Sequence, residues 1–187
     1  MRDVTYSLSM SLDGFITDPA GSLDWGVPGA ETFRVAMDEV RGVGVHVMGR
    51  RLYEAMLYWE DAAETQELDA AELEWCGIWN PLPKVVFSRT LTEVQGAARL
   101  ATGTVAEEIE RLRAEPAEGA IAIGGADLAA QVAAAGLIDE YRIRVMPVLL
   151  GGGQTMFPHE EARVDLDLVE SRVLDGQVQY LRYRVVR

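Results

Sequence analysis

Short apolar runs alternate with amphipathic segments through most of the chain, and this alternation limits the possible folds more than any other sequence feature. The apolar runs at residues 4–12, 43–48, 84–88 and 120–123 predict strands. Apolar residues at helical spacing predict helices over residues 30–42, 50–59, 62–83, 104–115 and 127–136. Because strands that alternate with helices pair in parallel, the pattern predicts a three-layer α/β domain with helices on both faces of a mixed central sheet.

The last part of the chain predicts strands without intervening helices. Residues 139–153 and 164–186 have the composition of long strands, and Asp175-Gly176 divides the second segment at a two-residue turn. No repeat or linker divides the 187 residues, a length that suits one domain over residues 1–187. We therefore expect a single domain that ends in an antiparallel hairpin.

Composition excludes several classes of partner. With 30 acidic against 17 basic residues, the net charge of −13 opposes binding to nucleic acid or to an anionic membrane. No apolar run approaches the roughly 20 residues that a membrane span needs. The single cysteine, Cys76, and the two distant histidines, His46 and His159, argue against a disulfide and a structural zinc site. We expect a cytoplasmic protein with no nucleic-acid partner, no membrane partner and no metal.

Three predicted strands run directly into residues suited to phosphate. They are Gly49, Arg50 and Arg51 after the second strand, Ser88, Arg89 and Thr90 after the third, and Gly124 and Gly125 after the fourth. Free N–H groups at a helix N-terminus attract anions, glycine permits close approach, and arginine adds a permanent charge. Because parallel strands end at one edge of a sheet, these residues predict a local positive site for a ligand with two anionic centres, such as a dinucleotide.

Each motif alone also has a plain structural interpretation. Paired glycines often form only a tight turn before a helix, and first-turn arginines are often solvated. Ser88–Thr90 alone is typical of an ordinary loop. Neither the Rossmann nor the P-loop glycine pattern occurs in the sequence. The phosphate hypothesis therefore depends on the shared position of the three motifs rather than on any one of them.

Taken in order, longer stretches around these motifs resemble the dihydrofolate reductase-like superfamily. The closer branch is similar to the reductase half of the bacterial riboflavin-biosynthesis deaminase-reductase. The matching stretches are "SMSLDGFI" (9–16), "VMGRRLYE" (47–54), "LPKVVFSRTL" (82–91), "IGGADLAAQ" (123–131), "LIDEYRIRVMPVLLGGG" (137–153) and "MFP" (156–158). The resemblance spans nearly the whole chain and implies an NADPH-dependent reductase of a small molecule, commonly a homodimer.

The resemblance also assigns roles to individual residues. For the cofactor it implies Gly49, Arg50 and Arg51 along the phosphates, Ser88, Arg89 and Thr90 at the adenosine end with its 2′-phosphate, and Gly124, Gly125, Ala126 and Leu128 at the pyrophosphate. For the substrate it implies Ser9, Ser11 and Asp13 on one side and a wall from Pro147 to Gly153, including Leu150, on the other. Asp13, with Ser11, is the candidate for substrate orientation or proton relay, and an Asp-Gly turn is the equal alternative.

Several departures from the family pattern keep alternatives open. Leu52 stands where the family usually has a threonine whose hydroxyl meets the cofactor. The first-helix carboxylate of true dihydrofolate reductases falls near the apolar Phe33, with Glu31 close by, so folate reduction is the weaker reading. The matching stretches resemble only the reductase half. The sequence thus favours a reductase resembling 5-amino-6-(5-phosphoribosylamino)uracil reductase, with a non-catalytic nucleotide-binding module, a dihydrofolate reductase or an interaction protein without a ligand as alternatives.

Overall fold

The observed elements follow the predicted alternation of strands and helices. The computed structural model describes residues 1–157 and 163–187, so Pro158, the last residue of the 156–158 motif, and His159 lie outside the described residues. In chain order the elements are β1 (Val4–Ser11), α1 (Ala30–Arg41), β2 (Val43–Gly49), α2 (Arg50–Met56), α3 (Tyr58–Thr65), α4 (Ala70–Trp79), β3 (Lys84–Phe87), β4 (Ala98–Leu100), α5 (Val105–Ala114), β5 (Ala120–Gly124), α6 (Ala126–Ala134), β6 (Glu140–Met146), β7 (Leu166–Leu174) and β8 (Val178–Val185).

All eight strands of the described chain form one mixed sheet in the order β4-β3-β2-β5-β1-β6-β8-β7. The first six strands in this order are parallel to one another. β8 runs antiparallel to β6, and β7 runs antiparallel to β8. The predicted mixed sheet and antiparallel hairpin are therefore confirmed.

Helices cover both faces of this sheet. On one face α5 and α6 bury Ile109 and Val132 against Ile121 of β5 and Tyr6 of β1. On the other face α1, α2 and α4 enclose a second core that includes Met48. Trp75 and Trp79 belong to this second core and stack at 5.6 Å between ring centroids. Burial of both apolar faces gives the three layers that the sequence predicts.

Several elements differ from the sequence prediction. The helix expected over residues 50–59 ends at Met56, and Tyr58 starts α3. The helix expected over residues 62–83 is divided between α3, which ends at Thr65, and α4, which begins after Asp69. Asp69 and Glu72 form a capping box that starts α4. The acidic residues around Asp69 made this helix start difficult to recognise in the sequence. The long strand expected over 139–153 ends at Met146, where Pro147 removes a backbone donor. The three-residue strand β4 was not expected at all, since so short a run carries no clear period.

The tip of the β7–β8 hairpin also caps α1. Asp175 and Gly176 both have positive φ, of 48° and 71°, as the predicted two-residue turn requires. The Asp175 carboxylate accepts hydrogen bonds from the backbone N–H groups of Glu31 (3.0 Å) and Thr32 (2.9 Å). In return the Glu31 carboxylate accepts the Asp175 N–H at 2.9 Å. A Cβ on Gly29 would collide with the Asp175 carboxylate, so glycine makes room for this reciprocal cap.

Candidate functional site

The sheet order brings the three phosphate motifs to one edge. β3, β2 and β5 are consecutive neighbours, with Gly49 opposite Phe87 and Met48 opposite Gly124. The residues that follow these strand ends therefore line one continuous stretch of the carboxyl edge. This is the position at which open α/β sheets bind ligands.

The glycines at this edge have different surroundings. A Cβ added to Gly49 or Gly125 would meet no atom of the described residues within 4 Å, so both backbones face open space. Gly125 is the N-cap residue of α6 and has φ of 90°, in the region that favours glycine. A Cβ on Gly124 would instead collide with Leu52 and His46. Of the pair, only Gly125 is open to a ligand, because Gly124 accommodates side chains of the protein itself.

Three other residues predicted at the cofactor have side chains that pack within the protein. The side chains of Ala126 and Leu128 are buried in the core, with 6% and 5% exposure, so only their backbone could meet a pyrophosphate. Leu52 packs in the core of the α1 face and covers Gly124. The role of these three residues at the cofactor stays a prediction.

The arginines supply the positive charge at this edge. Arg50 is held by an ion pair with Glu54 at 2.9 Å, one turn along α2. Arg51 and Arg89 are exposed and form no ion pair within residues 1–157 and 163–187. The Ser88 hydroxyl accepts hydrogen bonds from the N–H groups of Thr90 (3.1 Å) and Leu91 (2.9 Å), which shapes the loop that carries Arg89. Two unpaired cations thus follow adjacent strands of a strongly acidic protein.

At the end of β1, Ser11 and Asp13 join two loops. The Ser11 hydroxyl donates to Asp13 Oδ1 at 2.6 Å, and Asp13 also accepts from the N–H groups of Leu150 (3.1 Å) and Gly151 (2.7 Å). The hydrogen bond from Ser11, with those from Gly151 and Leu150, lowers the pKa of Asp13 to about 2. The carboxylate is therefore ionised at neutral pH and fully engaged. This geometry favours the turn and positioning role of Asp13 over a proton relay.

Ser11 is fully buried, and its hydroxyl also accepts the Phe15 N–H at 2.9 Å. It supports Asp13 and the loop, and its side chain does not face the cleft. The same two loops are joined further by Leu12 N–H to Val148 O (2.9 Å) and Ile16 N–H to Gln154 O (2.7 Å). The segments 12–17 and 147–156 accordingly form a single wall, on which Pro147 is exposed and Leu150 half-buried.

Beneath this wall lies a buried ionic network that the sequence did not reveal. Arg144 of β6 donates to Ser9 Oγ (3.2 Å), Ser7 Oγ (3.1 Å) and the Glu39 carboxylate (2.8 Å). Glu39 of α1 also accepts the hydroxyls of Ser7 (2.7 Å) and Tyr180 (2.8 Å). Burial and the Glu39 charge raise the pKa of Tyr180 above its usual range. In the sequence, Ser7 and Ser9 are two residues apart, as are Arg142 and Arg144. This spacing places each pair on one face of its strand but does not show which strands are neighbours.

The network fixes the hydrogen-bonding direction of Ser9. Its oxygen accepts from Arg144, and its own proton has no acceptor in the described part of the chain. Ser9 is half-buried at the carboxyl half of β1, and it pairs with Arg144 across the β1–β6 ladder. The hydroxyl therefore keeps its proton available to donate to another group, together with its second lone pair.

His46 lies on the other side of Gly124. Its ring packs edge-on against Trp79 at 5.2 Å between centroids, and its Nδ1 is buried with no partner in the described residues. Burial, and to a smaller degree the Lys84 charge, lowers the pKa of His46 to about 4. The imidazole is therefore neutral at physiological pH, and its role next to Gly124 is one of packing.

The mixed sheet with helices on both faces has the dihydrofolate reductase-like fold. Within this class the chain belongs to the RibD C-terminal domain family, whose model matches residues 2–180. It is 28% identical to the Bacillus subtilis protein YyaP over 182 residues, which cover 97% of this chain and 94% of YyaP.

Two solved structures share this fold. A Shewanella sp. PV-4 protein named for riboflavin biosynthesis superimposes with a TM-score of 0.76 and 28% identity, over 100% of both chains. Enterococcus faecalis dihydrofolate reductase, in complex with NADP(H), superimposes with a TM-score of 0.63 at 12% identity, over 99% of this chain and 97% of the enzyme. The predicted fold is thereby confirmed. Among the described residues no helix is long and apolar enough to cross a bilayer.

The low pKa of His46 predicts a pH-dependent stability. An unfolded histidine titrates near 6.5, whereas folded His46 titrates near 4, so between these values the unfolded state takes up a proton that the folded state refuses. The free energy of unfolding should therefore decrease as the pH falls from about 6.5 toward 4. Urea unfolding across this range measures the slope. The slope should become shallower in His46→Gln and persist in His159→Gln, and equal slopes in the wild type and His46→Gln would contradict the assignment.

Proposed function

We propose that the protein is an NADPH-dependent reductase that transfers hydride to a small heterocyclic substrate. The observation that carries this proposal is the pair of unpaired arginines, Arg51 and Arg89, beside the open backbones of Gly49 and Gly125. A pyrophosphate and a separate 2′-phosphate supply the two anionic centres that this edge suits. The NADP(H) bound by the Enterococcus faecalis enzyme supports this choice of cofactor for the shared fold.

The residues of the edge fit such a cofactor. Gly125 and the first backbone N–H groups of α6 would hold the pyrophosphate, while Arg89, Ser88 and Thr90 would hold the 2′-phosphate. Leu52 offers no hydroxyl and covers Gly124 instead, so phosphate binding relies on backbone donors and arginines. When bound, the cofactor supplies the hydride.

The residues at the end of β1 would stabilise the charge that forms on the substrate and keep water away from it. Reduction of a polarised C=N or C=O bond places negative charge on the heteroatom, and a fixed donor stabilises that charge. Ser9, whose oxygen accepts from Arg144, would be the donor to that heteroatom. Asp13 would keep the two loops together and so exclude water from the reacting atoms. The relation of the family to riboflavin biosynthesis supports a substrate similar to 5-amino-6-(5-phosphoribosylamino)uracil.

Folate reduction has less support than this proposal. Phe33, at the position of the expected carboxylate, packs against Trp75 at 6.0 Å between ring centroids. Glu31, the nearby carboxylate, accepts the Asp175 N–H and belongs to the cap of α1. Neither residue is therefore free to pair with a pterin ring. A nucleotide-binding module without catalysis remains the second candidate, because every contact at the phosphate edge would serve it equally well.

Thermal-shift titration with NADPH and NADH tests the cofactor site. A ligand stabilises the native state by about 2.7 kcal/mol at 100 times its dissociation constant, so NADPH should raise the midpoint clearly. In Arg89→Ala the response to NADPH should fall to the level of NADH, because the cation facing the 2′-phosphate is lost. Arg187→Ala is the matched control, since it removes one exposed arginine at the opposite edge, where Arg187 pairs with Asp139. Equal responses to both nucleotides in the wild type would contradict the role of Arg89.

Turnover separates the reductase from the binding module. In a screen of heterocyclic and carbonyl acceptors followed by NADPH absorbance, the reductase should oxidise NADPH with at least one compound, whereas a module would not. With that acceptor, Ser9→Ala should lower kcat by roughly 10–100-fold and leave NADPH binding unchanged, as expected for loss of a donor to the reacting atom. Ser7→Ala removes a hydroxyl from the same network and should retain most of kcat. Equal losses in the two variants would mean that Ser9 acts only through the network.

A further inference from the structure

The loops that follow β1 and β6 expose large apolar side chains. Leu12, Leu23, Val27 and Leu149 are 65%, 63%, 79% and 69% exposed, and we refer to these four residues as the apolar patch. The first three lie between β1 and α1, and Leu149 lies just beyond β6. Single exposed apolar residues are common on proteins, whereas four in two adjoining loops offer a surface whose burial by a ligand is favourable.

Backbone and core contacts hold the two loops side by side. The Leu12 N–H donates to Val148 O at 2.9 Å, so Leu12 and Leu149 lie on neighbouring segments. Trp25, in the middle of the loop after β1, packs against the same small core as Val148, a core that includes Met146 at the end of β6. The apolar patch therefore belongs to one part of the carboxyl edge, at the ends of β1 and β6.

The same two loops carry acidic side chains and no basic ones. Residues 3–33 and 145–162 contain no lysine or arginine. The loop between β1 and α1 contains three aspartates, Asp13, Asp18 and Asp24. Asp13 and Asp24 are exposed, and Asp18 is half-buried. A phosphate group bound at the apolar patch would therefore meet like charges from these loops and no opposite charge.

Arginines of neighbouring elements are engaged with other carboxylates. Arg144 of β6 donates to Glu39 and to two serines. Arg34 is exposed on α1 and interacts electrostatically with Asp175 at the hairpin tip. The unpaired arginines of the edge follow β2 and β3, which β5 separates from β1 and β6 in the sheet. One half of the carboxyl edge is thus cationic, and the other half is apolar and acidic.

We propose that the apolar patch binds an uncharged, unphosphorylated substrate with an apolar face, and that the surrounding carboxylates reject phosphorylated compounds. This inference rests on the proposed reductase, because it takes the ligand of the apolar patch to be the substrate. The substrate keeps the polarised C=N or C=O bond but lacks the phosphate of 5-amino-6-(5-phosphoribosylamino)uracil. Burial of its apolar face against the patch provides affinity, and repulsion of anions provides specificity.

Two fluorescent probes that differ by one anionic group test this specificity without turnover. N-phenyl-1-naphthylamine is neutral, and 8-anilino-1-naphthalenesulfonate has the same rings with a sulfonate. The neutral probe should bind the wild type at least about tenfold more tightly, because the sulfonate would lie among carboxylates. Equal affinities, or tighter binding of the sulfonate, would overturn the proposal.

Variants of one exposed leucine show where the probes bind. Leu149→Arg adds a cation to the apolar patch and should reverse the preference toward the sulfonate, whereas Leu149→Gln should weaken both probes and keep their ratio. Leu73→Arg is the matched control, since Leu73 is an exposed leucine of α4 next to Glu74, which pairs with Arg41 at the C-terminal end of α1. It should behave like the wild type. An unchanged ratio in Leu149→Arg would exclude the apolar patch as the site.

Turnover separates this inference from the proposed reductase. With NADPH, the dephosphorylated form of 5-amino-6-(5-phosphoribosylamino)uracil should have a kcat/KM at least about tenfold above that of the phosphorylated form. A preference for the phosphorylated form would overturn the inference. Binding of the neutral probe at the apolar patch, with no acceptor reduced, would overturn the reductase and still support an apolar site that rejects anions.

Discussion

Every candidate site residue depends on the parallel pairing of β3, β2, β5, β1 and β6. Because parallel strands end at one edge of the sheet, the residues that follow these five strands lie side by side along that edge. The proposed phosphate contacts follow β3, β2 and β5, and the proposed substrate contacts lie at the ends of β1 and β6. One constraint of the backbone thereby gathers residues that are as far apart in sequence as Asp13 and Leu150.

Charge is distributed in accordance with this arrangement. The protein carries −13 overall, yet Arg51 and Arg89, which follow adjacent strands, form no ion pair within the described part of the chain. Arg144, by contrast, is buried, and each of its three nitrogens donates to Glu39 or to one of two serines. Buried ion pairs contribute little net stability but fix geometry, and here the fixed element is the hydroxyl of Ser9.

The sequence predicted what depends on local pattern and missed what depends on distant contacts. The Gly and Arg residues after each strand were recognisable because strand periodicity, turn residues and helix starts are local signals. The cap of α1 by Asp175 joins residues 144 positions apart, and the packing of Leu52 against Gly124 joins two different strand–helix units. No spacing rule reports such contacts. Leu52 was therefore interpreted as a lost cofactor contact, although the structure gives it a packing role.

The most direct test of NADPH binding at the carboxyl edge of the sheet is a titration of ¹⁵N-labelled protein with NADPH, in which the amide chemical shifts are measured. If the carboxyl edge binds the dinucleotide, the largest changes should fall on Gly49, Ser88, Arg89 and Gly125, whose backbones lie along it. The amides at the opposite edge, such as Gly119 and Asp139, should not move. Saturable changes confined to the first group would support the account, whereas no change at millimolar NADPH, or changes centred on the opposite edge, would contradict it.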